Sequence, residues 1–310
     1  MNSDPLDLTP DAPLAVSRAA TQIARHPDVL GVYWGTRRRE GAWTDEPCLS
    51  VEVERKERAD RLETHRVLPS EVEGVAVDVV EVGAIIAAAL SHDDLIRAKG
   101  SGYSTITCVA APSEGRARAL LSGHAVLPII GGSILRKYPS ATPHMDPVVA
   151  LDLAQSVPGR ILAGEISARQ DFTVAEFDTA DVSARHRLAE GPRIVARTAV
   201  VTIDERVRFY STLDAKVHRG RVAPAFKDPI TVQLGNESLT YSGILRVRPE
   251  DKKGPFATKG DSGGLVVDDQ GRALGTIIAV SVSDPFAYVL PLYGLSKGNP
   301  DHFHTFFIEA

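Results

Sequence analysis

One serine in this 310-residue chain sits among glycines in a way that suits it to attack a carbonyl. It lies in Lys259-Gly260-Asp261-Ser262-Gly263-Gly264, between Gly254-Pro255-Phe256 and Leu265-Val266-Val267. Glycine gives up more conformational entropy on folding than any other residue, so a cluster of it calls for a reason. A serine nucleophile supplies one. The intermediate it forms carries an oxyanion, and backbone that turns its N–H groups towards that charge often needs dihedrals only glycine adopts cheaply. The bland alternative is a glycine-rich turn joining two strands.

The elements that would position such a serine read as short strands. From Ser104 onward, Gly, Pro, Asp and Asn separate β-rich segments at Ser104–Ala110, Ala117–Leu121, Val148–Leu153, Ile194–Thr198, Val207–Thr212, His218–Ala223, Ile230–Leu234, Tyr241–Val247, Gly264–Val267, Leu274–Val282 and Ala287–Leu292. So many strands with turn signals between them argue for barrels or sandwiches. The Gly-x-Ser-x-Gly pattern also occurs in α/β-hydrolases, with Asp284 and His302 in the required later order. That elbow must feed a helix, whereas Leu265 to Ile278 reads as strand, turn, strand.

Gly260-Asp261-Ser262-Gly263-Gly264 resembles the nucleophile motif of trypsin-like (chymotrypsin-fold) serine proteases. Ala119-Leu-Leu-Ser-Gly-His124-Ala resembles the same family's strand-to-small-turn motif, and Asp146-Pro147-Val148-Val149-Ala150 resembles its aspartate-led strand. The resemblance implies a two-barrel domain with His124 as general base, Asp146 as the acid that orients it (Asp152 being the alternative), and Ser262 as nucleophile. The amides of Gly260 and Ser262 would form the oxyanion hole, supported by Asp261. Relative to digestive members, the stretch from His124 to Asp146 implies a trimmed loop. Phe256, six residues before Ser262, replaces the acid that selects Lys or Arg, and Val280 stands near a pocket-lining glycine. A narrow, apolar or partly blocked pocket follows, disfavouring cleavage after basic residues. Peptide or protein is the implied substrate, with no cofactor and no metal; self-association is compatible with the family. A protease-shaped scaffold with a closed site is the rival reading.

Ahead of that domain, residues 1–13 read as a flexible arm. Ala15 to Arg25 reads as a short helix stopped by His26-Pro27, since the residue before proline resists the helical region. Leu30–Gly35, Cys48–Glu54 and Val75–Val82 read as strands, with a polar turn from Arg37 to Pro47 between the first two. These segments, with the Asp78-Val-Val-Glu-Val-Gly83 ending, resemble the N-terminal module of intracellular trypsin-like proteins that include the plant narrow-leaf-type group. Ala84 to Lys99 reads as a helical or partly looped connector. The expected architecture is α+β: a small α/β module and connector over 14–99, then a double β-barrel over 100–310. Nothing in the arm resembles the Ile-Val-Gly-Gly start of secreted zymogens, so the site is expected to form as translated, or on a signal from a ligand, a partner or the N-terminal module.

Composition narrows the setting. Net charge is −5, from 35 basic and 40 acidic residues, which implies no general affinity for nucleic acid. Cys48 and Cys108 are the only cysteines, so a secreted disulfide framework is not expected and the reading is cytoplasmic. The N-terminus lacks the basic and apolar run of a signal peptide, and the apolar stretch Ala84 to Leu90 is too short to span a bilayer.

Overall fold

The structure is a computed structural model that describes residues 14–39, 42–57, 62–63, 66–87, 96–98, 105–113, 116–127, 129–130, 133–134, 136–138, 147–150, 157–177, 194–197, 201–202, 204–224, 229–234, 236–250 and 254–309. Helix α1 (Leu14–Ala24) packs on a mixed four-stranded sheet of β1 (Val29–Arg39), β2 (Ala42–Val53), β3 (Glu71–Val72) and β4 (Val75–Glu81), in the order β1-β2-β4-β3. Val16, Ala19, Ala20 and Ile23 recur at helical spacing, so one face of α1 is apolar, and they bury against Val32, Leu49, Val51 and Val77. The expected turn from Arg37 to Pro47 is shorter than the sequence suggests. β1 and β2 stay paired as far as Arg39 opposite Ala42, with Thr36 opposite Pro47.

The described residues of the connector, expected to be helical or partly looped, form two strands, β5 (Ile85–Ala87) and β6 (Ile96–Ala98); the residues between them lie outside the described ones. β-branched Ile85 and Ile86 suit a strand, and each connector strand is captured by a different sheet. β6 joins the first large sheet, built from β7 (Cys108–Ser113), β8 (Arg116–Leu121), β11 (Lys137–Tyr138), β12 (Pro147–Ala150), β13 (Val157–Ser167) and β14 (Gln170–Phe177). A one-turn helix, α2 (Gly123–Val126), follows β8, and β9 (Ile129–Ile130) pairs with β10 (Ser133–Ile134). The order is β6-β12-β13-β14-β8-β7, with β11 also on β13.

The second sheet takes β5 together with β15 (Ile194–Ala196), β16 (Arg206–Ser211), β17 (Lys216–Pro224), β18 (Ile230–Leu234), β19 (Glu237–Tyr241), β20 (Leu245–Pro249), β21 (Leu265–Asp268), β22 (Ala273–Ser281), β23 (Ala287–Pro291) and β24 (Phe307–Glu309). Within it, β22-β21-β16-β17-β20-β23 closes on itself because β23 pairs back with β22. Six strands thus form a barrel around Val207, Phe209, Val247, Val266 and Ile277. The expected strand Tyr241–Val247 is divided between β19 and β20, because the chain bends at Ser242-Gly243, where Gly243 takes φ +73°. Helices α3 (Tyr293–Gly298) and α4 (Pro300–Phe306) follow the barrel. No helix among the described residues is long and apolar enough to cross a membrane.

The two sheets and the N-terminal strands share one core. Tyr33, Val82 and Ile85 pack in the same cluster as Leu121 and Phe177 of the first sheet and Ile278 and Tyr288 of the second.

Candidate active site

His124 is carried by α2 directly after β8, and Ser262 by the loop that enters β21, so the two come from different sheets. Their side chains meet. The Ser262 hydroxyl donates to His124 Nε2 at 2.5 Å. Thr105 and Thr107, at the entry to β7, tie the loop to the first sheet. The Thr105 amide donates to Ser262 O (2.8 Å), and the threonine hydroxyls donate to Gly260 O (3.0 Å) and Gly263 O (2.7 Å).

The other imidazole nitrogen meets Asp171, not the expected Asp146. His124 Nδ1–H donates to Asp171 Oδ2 at 2.5 Å, and the His124 amide donates to Oδ1 at 2.8 Å. The Ser122 hydroxyl lies 2.8 Å from Nδ1 and 3.3 Å from Oδ1. Asp146 and its alternative Asp152 lie outside the described residues. The physical reason for Asp171 is the register of the sheet. β14 runs antiparallel to β8 with Thr173 opposite Leu121, so Asp171 falls beside the turn that carries His124. Gly123 permits that approach, since a Cβ there would lie 2.9 Å from Asp171 Oδ1 and 3.0 Å from the Phe172 backbone. Gly123, just before His124, therefore makes room for the carboxylate of its own sheet. With Asp171 in this place, the short loop inferred from Asp146 no longer follows.

A fourth group completes the carboxylate's shell. The Tyr241 hydroxyl, at the end of β19 in the second sheet, donates to Asp171 Oδ2 at 2.5 Å. Burial pushes the Asp171 carboxyl up, but His124 and the Tyr241 hydroxyl outweigh it and hold the group below the ordinary carboxylate range. Burial first, and then Asp171, push the Tyr241 phenol well above its usual value, so it stays a donor. The residues of the relay are withdrawn from solvent, with Ser262 at 0% and His124 at 3% exposure.

The serine loop is fixed from below by Asp261. Its Oδ1 accepts from the Ser211 hydroxyl (2.7 Å), and its Oδ2 accepts from the Thr258 amide (2.8 Å) and hydroxyl (3.2 Å). Burial raises this carboxyl despite those donors. Gly260 takes φ +106° and Gly263 φ +86°, conformations open to glycine at little cost. Phe256 is fully buried, 5.3 Å from the Phe209 ring, and joins Val280 in the core of the closed barrel. Among the described residues, no group of three or more His, Cys, Asp or Glu side chains could hold a metal ion.

Sequence reasoning missed Asp171 and Tyr241. Asp171 has the same +4 alanine as Asp146, in Asp171-Phe-Thr-Val-Ala175, and that repeated pattern could have exposed it.

No protein-family model matches the chain, and no curated protein matches it. Among solved structures, Thermobifida fusca Protease A is similar at 16% identity and a TM-score of 0.41, over 69% of this chain and 95% of its own. The active form of the Rv3671c protease from M. tuberculosis is similar at 14% identity and a TM-score of 0.38, over 65% of this chain and 76% of its own. Nocardiopsis Protease is similar at 13% identity and a TM-score of 0.38, over 69% of this chain and 96% of its own.

Proposed function

We propose that this protein is a serine endopeptidase of the trypsin-like kind, working through Ser262, His124 and Asp171. The single observation that carries the reading is the unbroken relay from the Ser262 hydroxyl through both nitrogens of His124 to the Asp171 carboxylate. In the first step Ser262 Oγ bonds to the substrate carbonyl carbon while its proton passes to His124 Nε2. Asp171 holds the Nδ1–H tautomer and stabilises the imidazolium without taking the proton. The amides of Gly260 and Ser262 serve the oxyanion, in a loop whose glycine dihedrals and Asp261 anchor support that orientation. The intermediate collapses as His124 returns the proton to the leaving amine. Water then releases the acyl group by the same steps in reverse roles.

Phe256 and Val280 give this reading its specificity: with apolar groups at both positions and no carboxylate, small or apolar residues suit the site better than Lys or Arg. The unit built on α1 and β1–β4 is the module placed ahead of the protease domain. A fluorophosphonate probe tests the assignment. Labelling should map to Ser262, vanish in Ser262→Ala and fall sharply in His124→Ala; folded protein that never labels would favour the closed scaffold.

A further inference from the structure

β22 has a side that faces the serine loop, and three successive pieces of the chain cover it. β21 pairs with Ala273 to Thr276. The serine loop comes next: Gly263 N–H donates to Ile277 O (2.9 Å), and Ile277 N–H donates to Gly264 O (3.0 Å). β5 then pairs antiparallel with the remainder, Ala87 opposite Ala279, Ile86 opposite Val280 and Ile85 opposite Ser281. β23 occupies the other side of Ala279 and Val280.

The edge taken by β5 is the one an extended peptide would need. Peptides commonly bind by adding a strand to a free sheet edge, through main-chain hydrogen bonds. A peptide that presents a carbonyl to Ser262 and lies along β22 meets Ala279–Ser281 next, and that stretch is filled by the chain itself. The occupant is well held. Its far side pairs with β18, Gln233 opposite Ile86, and the ladder runs back through Val282 N–H to Ala84 O (3.3 Å) and Ser283 N–H to Val82 O (3.1 Å). The Ser281 hydroxyl also donates to Val82 O at 2.6 Å. Ser262 has no exposed surface in this arrangement.

We infer that residues 85–87 are an autoinhibitory strand, an intramolecular occupant of the substrate's main-chain site, and that an extended peptide reacts only when β5 leaves β22. The inference rests on the serine-protease reading above. A tethered occupant acts at an effective concentration of about millimolar, so a free peptide at micromolar concentration competes poorly.

A reversible lock tests it. Val282 N–H points to Ala84 O, whereas Ser281 N–H points away from β5, to Phe286 O (3.0 Å), so by alternation Ala87 and Ala279 form a non-hydrogen-bonded pair, the closer kind and within reach of a disulfide. In the full chain carrying Ala87→Cys and Ala279→Cys, a tripeptidyl diphenyl phosphonate should label Ser262 when the pair is reduced and fall to background when it is oxidised. The unsubstituted protein, whose Cys48 and Cys108 are free and buried, should ignore the redox change. Ile86→Pro removes a donor from the ladder and should speed labelling by roughly tenfold or more over the unsubstituted protein. Equal labelling of the oxidised and reduced double variant overturns the inference even if Ile86→Pro fails to fold. If neither this probe nor a small fluorophosphonate labels Ser262 in any form, the serine-protease reading falls, and the inference with it.

Discussion

Two buried carboxylates in this protein have nearly the same neighbours and opposite characters. Asp171 meets an imidazole, a tyrosine hydroxyl and a serine. Glu52 of β2 meets the Arg246 guanidinium (3.0 Å) and the Tyr288 hydroxyl (3.0 Å), while Arg246 also reaches Ser50 (3.1 Å). The cation decides the difference. Arg246 is permanently charged and lies over the rings of Tyr33 (4.1 Å) and Phe286 (4.5 Å), so its network has no proton to pass. An imidazole is a side chain that can take up and return a proton, and the Ser262 hydroxyl lies on the far side of His124. Burial raises the Glu52 carboxyl even against Arg246, whereas the donors around Asp171 hold it low. One network locks the N-terminal sheet to the closed barrel; the other joins the two large sheets and ends on the Ser262 hydroxyl.

Substitutions should separate these roles. His124→Ala is expected to cost on the order of 10⁶ in peptide turnover, measured by kcat, with little change in melting temperature. Arg246→Met should do the reverse. It leaves Glu52 buried without its cation and should cost about 3–5 kcal/mol in denaturant unfolding, while the labelling rate per folded molecule holds. Adding Glu52→Leu should recover most of that loss. Tyr241→Phe removes one donor to Asp171 and should slow labelling by roughly tenfold, about the worth of a hydrogen bond to a charged group. An unchanged rate would make Tyr241 a packing residue only.

The smallest effect concerns acid stability. Because the Asp171 carboxyl is lowered in the fold, its contribution is full above the ordinary carboxylate range, about pH 4, and is lost as pH falls through the native value. The raised Glu52 works the other way: its contribution is full below that range and is lost as pH rises through its native value. Melting curves between about pH 3 and 7 should therefore show a flatter acid limb in Asp171→Asn, and less loss on the rising side in Glu52→Gln.

Much of this was legible in the sequence. The glycine box around Ser262 and the strand-to-turn placement of His124 are local features, and the fold brings these two side chains together. The hairpin of β13 and β14 was not legible. Pro158, Gly159 and Gly164 interrupt its first strand, and it turns at Ala168-Arg169 without the Gly, Asn or Asp that marks a tight turn. Asp171 rides on that hairpin, so missing the element meant missing the acid. Tyr241 could not be found at all from local pattern, because its partner is 70 residues away and in another sheet. β5 was hidden for a similar reason: three apolar residues become a strand only because β18 and β22 leave a place between them.

In the proposed relay Asp171 orients the imidazole that activates Ser262. The rate of Ser262 phosphonylation in Asp171→Asn, measured beside Asp146→Asn, tests it most directly. The relay described here predicts a loss of about 10⁴ in the first and a rate near that of the unsubstituted protein in the second. A loss confined to Asp146→Asn would contradict it.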